Sequence, residues 1–174
     1  MSCIGMKRFL GVDKMKNDKL TIYLAGRIGG LTKTEYNTWR EVLKKKLEIA
    51  AECCNSIIQV INPADYFDFD NIEGHTDKEI MQFDLNMVRQ SDIVIANVNG
   101  INESIGTAIE VYEANRLNIP VIAYANVPEI LEHKRNNVIF DKIHPWIKEC
   151  LATNLMFHAD DVVQYVKDFY MVRY

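Results

Sequence analysis

The sequence predicts an α/β domain built on a doubly wound, five-stranded parallel sheet with helices on both faces. Three observations lead there. From Lys19 onward, short apolar runs alternate with longer stretches of helical periodicity, the pattern of successive βαβ units. Ile93, Val94, Ile95 and Val98 form a near-continuous β-branched run, which suits a central strand buried on both faces. The first two apolar runs end at turn formers, Gly26 and Asn62-Pro63.

The first strand is expected at residues 20–25. Residues 33–51 follow as a helix, from the spacing of Tyr36, Trp39, Val42, Leu43, Leu47 and Ile49. The second strand is at 57–61, and residues 64–74 read as an acidic, aromatic loop. Residues 76–91 form a helix with Ile80, Phe83, Met87 and Val88 on one face, opened by a capping box between Thr76 and Glu79. The third strand, at 92–98, is expected in the middle of the sheet. A loop at 99–104 leads through Gly106 into a helix ending near Leu117, and the fourth strand is at 119–124. Beyond it, residues 127–135 look helical, 138–140 supply a short fifth strand, and a last helix spans 161–170 with Asp160 as its N-cap.

Length and composition narrow the function classes. The 174 residues suit one domain, taken as 19–174 behind an extension at 1–18. With 48% hydrophobic residues, 25% charged residues and a net charge of −4, nothing calls for a nucleic acid polymer or a membrane surface as partner. The longest apolar run, 119–125, contains Pro120 and falls far short of the roughly 20 residues of a spanning helix. Residues 1–18 lack a continuous apolar core followed by a small-residue cleavage site, so a cytoplasmic location is expected. Cys3, Cys53, Cys54 and Cys150 have no CxxC spacing and are expected as free, partly buried thiols. His75, His133, His144 and His158 are scattered, with no pair at ligand spacing, so no metal is expected.

In such sheets ligands sit beyond the carboxyl ends of the strands, here the loops 26–32, 62–75 and 99–106. The turn Gly26-Arg27-Ile28-Gly29-Gly30 lets backbone amides approach an anion near a helix N-terminus, although it is neither a Walker loop nor a GxGxxG fingerprint. Short glycine turns after strands are also commonly structural. Ser104-Ile105-Gly106-Thr107-Ala108-Ile109-Glu110 places a serine and a glycine at a helix mouth and a carboxylate in its second turn. A glutamate there equally serves as a partner of the helix dipole, but apolar Ile109 and Val111 on either side point to an enclosed position. Asp84, on the preceding helix, is either a solvated acid or a second carboxylate converging on the same cleft. Two such groups are what glycosidic cleavage needs: one attacks an oxocarbenium-like carbon, the other delivers a proton to the leaving group.

These residues carry a resemblance. Thr21-Ile22-Tyr23-Leu24-Ala25-Gly26, then Asp84-Leu85-Asn86 with Ser91-Asp92-Ile93-Val94-Ile95-Ala96, and Ser104-x-Gly106-Thr107-x-x-Glu110 together resemble the nucleoside 2-deoxyribosyltransferases and the related nucleoside 5'-monophosphate N-glycosidases. The likeness spans about residues 20–124 and implies a flavodoxin-like (Rossmann-like) fold, no cofactor, and a homo-oligomer. It implies Glu110 as the nucleophile that forms a covalent glycosyl ester, Tyr23 as the hydroxyl holding that carboxylate, and Asp84 as the acid managing the proton on the departing base. Gly26, Arg27, Ile28, Gly29, Ser104 and Gly106 fall at substrate-binding positions.

Two acceptors remain open under that resemblance, another base or water. The transferases tend to carry Asp where this chain has Ser104, and a hydroxyl, unlike a carboxylate, tolerates a 5'-phosphate. Arg27 would add positive charge there, although the hydrolases place their arginine later in the loop; the ending Arg173-Tyr174 points toward the transferases instead, some of which end in a tyrosine. Tyr66, Phe67 and Phe69 either stack on a nucleobase or close the core from above. From another class, a nucleotide-binding or sensing module would keep the fold and turn nothing over.

Overall fold

The computed structural model describes residues 19–69, 74–126 and 142–171. Its sheet has four strands, β1 (Lys19–Gly26), β2 (Ile57–Ile61), β3 (Ile93–Asn97) and β4 (Val121–Tyr124), in the order β2-β1-β3-β4. Tyr23 lies opposite Ile61 on one side and Val94 on the other, and every pairing is parallel. Parallel strands need crossovers, supplied by α1 (Lys33–Cys53), α2 (Asp77–Arg89) and α3 (Ile105–Arg116). β2 and β3 flank β1 on opposite sides, so the connection leaving β1 and the one entering β3 diverge and leave a crevice beyond the strand ends.

Strand alternation sorts the core into two layers. Ile22, Leu24, Ile93, Ile95 and Ile122 pack with Trp39, Leu43 and Leu47 of α1. Tyr23, Ala25, Val94, Ala96 and Val121 pack with Val88 of α2 and with Val111 and Ala114 of α3. All of β3 is buried, and it lies inside the sheet between β1 and β4, which is why its sequence reads as one β-branched run. In α1 the buried stripe is Tyr36, Trp39, Leu43, Leu47 and Ala51; Val42 and Ile49, counted in that face from spacing, are 45% and 51% exposed. Thr76 and Glu79 form the expected capping box on α2, and Thr32 with Glu35 forms another on α1.

The chain end departs from expectation. The described sheet has four strands rather than five, and the segments expected at 127–135 and 138–140 lie outside the described residues. The free edge of β4 is met by an irregular stretch: Met156 makes a single parallel bridge to Tyr124, and the Thr153 hydroxyl accepts from the Ala123 amide at 3.0 Å. Ala152 donates to the Val121 carbonyl at 2.8 Å, so the edge is partly satisfied without a regular strand. The last helix, α4 (Ala159–Val166), starts earlier than expected, with His158 rather than Asp160 at its N-cap, and passes into a π-helical turn over Lys167–Met171. Asp160 instead pairs with Lys46 at 2.6 Å. Cys53, Cys54 and Cys150 are free thiols. Among the described residues no helix is long and apolar enough to cross a membrane.

Candidate active site

The alternation that sends Leu24 toward α1 sends Tyr23 toward α2 and α3. On α3 the inward face carries Thr107, Glu110, Val111 and Ala114, so Glu110 projects from the layer that holds Tyr23. The fully buried Tyr23 hydroxyl donates to Glu110 Oε1 at 2.6 Å. Asp84, from α2, reaches the same place. Its Oδ1 is buried and has no hydrogen-bond partner among the described residues. A phenol has one proton, and here it goes to Glu110; Asp84 receives it when the Tyr23 hydroxyl rotates from one carboxylate to the other.

Burial dominates the electrostatics. It pushes the Glu110 carboxyl up to about 8, helped by the negative charge of Asp84 and opposed by the Tyr23 hydrogen bond and by Arg40. Asp84 is pushed up to about 6, again by burial, with Tyr23 and Arg40 acting the other way. The Tyr23 phenol sits well above its usual range because of burial and the two carboxylates. Arg40 is the nearby cation, fully buried and drawn down to about 10 by desolvation while the two carboxylates and Tyr23 pull it back up.

Glu110 stands where two cavities meet. One, of about 290 Å³, is lined by the Gly26–Gly29 turn and by residues 103–107. The other, of about 260 Å³, is lined by apolar side chains, among them Ile80, Met81, Leu85 and Ile109. Both are bordered by Phe69, Asp84, Gly106 and Glu110. A Cβ added at Gly29 or at Gly106 would meet nothing within 4 Å, so both glycines open onto free space. Gly26 is different: a Cβ there would lie 2.7 Å from Trp39, so its missing side chain makes room for α1.

Ser104 ends the loop before α3 without capping it; its hydroxyl lies 2.8 Å from that of Thr107. Arg27 is held on the rim, donating to Glu103 at 2.7 Å and to the Gly29 carbonyl at 3.0 Å. Its charge is therefore already matched by a carboxylate.

Tyr23, Asp84 and Glu110 are thus brought together, and Gly26, Arg27, Ile28, Gly29, Ser104 and Gly106 all border the adjoining cavity. Of the aromatic loop, Phe69 faces the site, whereas Tyr66 and Phe67 pack on Phe83 with ring centroids 5.0 and 5.1 Å apart. Arg173 and Tyr174 lie outside the described residues. Glu103 and Arg40 are not singled out by the sequence, and Thr107 enters there only as part of the Ser104–Glu110 motif. Of the first two, Arg40 alone leaves a trace there, as a charged residue one turn beyond Tyr36 and beside Trp39 in the apolar stripe of α1. Among the described residues no group of three or more His, Cys, Asp or Glu side chains is placed to hold a metal ion.

A family model described as nucleoside 2-deoxyribosyltransferase matches residues 22–143. Among solved structures, a conserved protein from Enterococcus faecalis V583 is similar at 19% identity and a TM-score of 0.62, covering 86% of this chain and 98% of that one. A 2-deoxyribosyltransferase from Bacillus psychrosaccharolyticus is similar at 18% identity and a TM-score of 0.60, covering 88% and 98%. A CMP N-glycosidase from Clostridium botulinum aligns at 12% identity and a TM-score of 0.46, covering 86% and 99%. No curated protein matches the chain.

Proposed function

Because the chain belongs to the nucleoside 2-deoxyribosyltransferase family, we propose that it cleaves the N-glycosidic bond of a (deoxy)nucleoside and passes the sugar to another base through a covalent ester on Glu110. The observation that carries this reading is the placement of Glu110 and Asp84 on the border between two cavities, one more polar and the other more apolar. A sugar in the first and a base in the second put the bond that joins them beside both carboxylates.

With Oε1 of Glu110 held by Tyr23, Oε2 is the attacking atom. It forms a bond to C1' as the C1'–N bond breaks and the electron pair leaves with the base. Asp84, in its protonated form, gives its proton to a nitrogen of that base. Its raised pKa of about 6 keeps part of it protonated near neutrality, and its side chain borders both cavities, within the space a bound nucleoside would fill. In the second half a fresh base attacks C1', Glu110 leaves as carboxylate, and Asp84 takes up a proton from the acceptor. Two inversions give net retention.

A second reading, hydrolysis of a nucleoside 5'-monophosphate, is favoured by Ser104, a hydroxyl rather than a carboxylate on the sugar side. The Arg27–Glu103 pair argues for an uncharged 5' end, because a phosphate would have to displace Glu103 before using Arg27. Incubation with deoxynucleosides, with and without a free acceptor base, and separately with nucleoside monophosphates decides between the two. Base exchange supports transfer, and a sugar 5-phosphate supports hydrolysis. Tight binding without base release, unchanged by Glu110→Ala, would mean that the protein only binds.

A homo-oligomer is the accompanying proposal. Ile105, Ile109 and Tyr112 are exposed along one side of α3, with exposed Met81 on α2 nearby, an apolar strip next to the site that suits a second copy of the chain.

A further inference from the structure

The guanidinium of Arg40 has no solvent exposure, and among the described residues it forms no ion pair. A lone buried cation is costly to keep and calls for an account. It donates to the Gly26 carbonyl at 2.6 Å, to the Leu24 carbonyl at 3.4 Å and to the Tyr36 carbonyl, and it lies 4.5 Å from the centre of the Trp39 ring. Those contacts hold its fork rigidly against the end of β1. Leu24 and Gly26 lie on either side of Ala25, and Gly26 opens the turn that lines the sugar-side cavity. Trp39 and Arg40 together crowd the place where a Gly26 side chain would be.

The groups that interact with Arg40 come from every neighbouring element: Tyr23 on β1, Asp84 on α2, Glu110 on α3 and Tyr36 on its own helix. Three of the four belong to the site. Tyr23 also follows Ile22 and precedes Leu24, so the strand end that Arg40 grips is the one that aims the phenol at Glu110.

We propose that Arg40 is the positioning residue of this site: its buried guanidinium locks the end of β1, and with it Tyr23 and the Gly26–Gly29 turn, while its charge offsets the ionised carboxylate of the Glu110–Asp84 pair. The proposal rests on the functional reading above for its kinetic consequences and on the resting protein alone for its electrostatic ones. Arg40 is fully buried and lines neither cavity, so it acts on the site without touching the reacting atoms.

The test compares the wild type with Arg40→Met and Arg40→Lys. Carbon-13 NMR of labelled Asp and Glu follows the carboxyl titrations of Asp84 and Glu110 without substrate. In R40M both midpoints are expected to rise by about one pH unit, and in R40K to stay within a few tenths of the wild type. Base release from nucleosides is expected to fall roughly 10- to 100-fold in R40M, mainly in kcat, and to recover in large part in R40K. Unchanged titrations in a folded R40M overturn the proposal. If R40M does not fold, nitrogen-15 signals of the Arg40 guanidinium in the unaltered protein decide: they shift with the carboxyl titrations if the charges are coupled, and their failure to move overturns it. A wild type that releases no base from any nucleoside or nucleotide refutes the functional reading, while the titrations still judge Arg40.

Discussion

Tyr23 and Glu110 are 87 positions apart in sequence, yet joined by a 2.6 Å hydrogen bond in the second core layer. Strand alternation aims the phenol and helical periodicity aims the carboxylate, so the contact follows from two independent local rules meeting at the end of the sheet. When Glu110 is ionised the bond is charge-assisted, and it engages Oε1, leaving Oε2 for the proposed attack. Tyr23→Phe is therefore predicted to lower kcat by about 10- to 100-fold, with little change in KM, and to raise the Glu110 pKa because the lowering hydrogen bond is gone. Steady-state base release measures the first effect. A Y23F enzyme with wild-type kcat would remove Tyr23 from the mechanism.

Glu110→Gln is predicted to separate activity from stability. Its activity falls by about 10³-fold or more through loss of the nucleophile. Its stability moves the other way. An unfolded glutamate titrates near about 4.3, and in the folded protein Glu110 is raised to about 8. Between those values the folded state binds the extra proton, so the carboxyl's destabilisation grows as pH rises from the unfolded value to the folded one. Gln carries no such penalty. The melting temperature of E110Q is expected to exceed that of the wild type by a few degrees at pH 8 to 9, about 1 to 3 kcal/mol, with the gap narrowing toward pH 4. A gap that does not change with pH would mean that Glu110 is not a raised, buried acid.

The pH dependence of kcat/KM is predicted to be a bell with limbs near 6 and 8, the values to which Asp84 and Glu110 are raised. Below the lower limb both carboxyls are protonated and no nucleophile remains. Above the upper limb both are ionised and no acid remains. The productive form has a single proton on the pair, on Asp84 with Glu110 ionised; because Glu110 is raised further than Asp84, this is the minor arrangement of that proton, and the two limbs belong to the coupled pair rather than to one residue each. Replacing Asp84 with Asn is expected to abolish one limb. A flat profile from pH 5 to 9 contradicts the shared proton.

Much of this arrangement was legible in sequence because it rests on short-range periodicity. The run Ile93–Ile95 marked an inner strand, Thr76 and Glu79 marked the start of α2, and the span from Ser104 to Glu110 marked a loop feeding a helix. Arg40 was not legible: its burial depends on Gly26, Leu24 and Tyr36 carbonyls, and spacing alone makes it one more charged residue on a helix. The pairing of Arg27 with Glu103 is similarly non-local, and it changes the meaning of Arg27 from a free anion contact to a neutralised rim charge. At the chain end, residues 152–156 carry no strand pattern, and they border β4 through a lone bridge and a threonine hydroxyl instead of a ladder.

Gly106 offers the sharpest test of where the substrate lies. It sits in the first turn of α3, where alanine is the better helix former by up to about 1 kcal/mol. Its φ is not in the left-handed region, and a Cβ would touch nothing within 4 Å. Neither backbone geometry nor packing demands glycine, and the open space beside it is available to a ligand. It borders both cavities. Gly106→Ala is predicted to leave the melting temperature unchanged or slightly raised while KM for the nucleoside rises several-fold. Gly106→Val, with two more methyl groups in the opening, is expected to raise KM by about tenfold or more. Thermal melts alongside KM measurements separate the two effects, and a G106V enzyme with wild-type KM would place the substrate elsewhere.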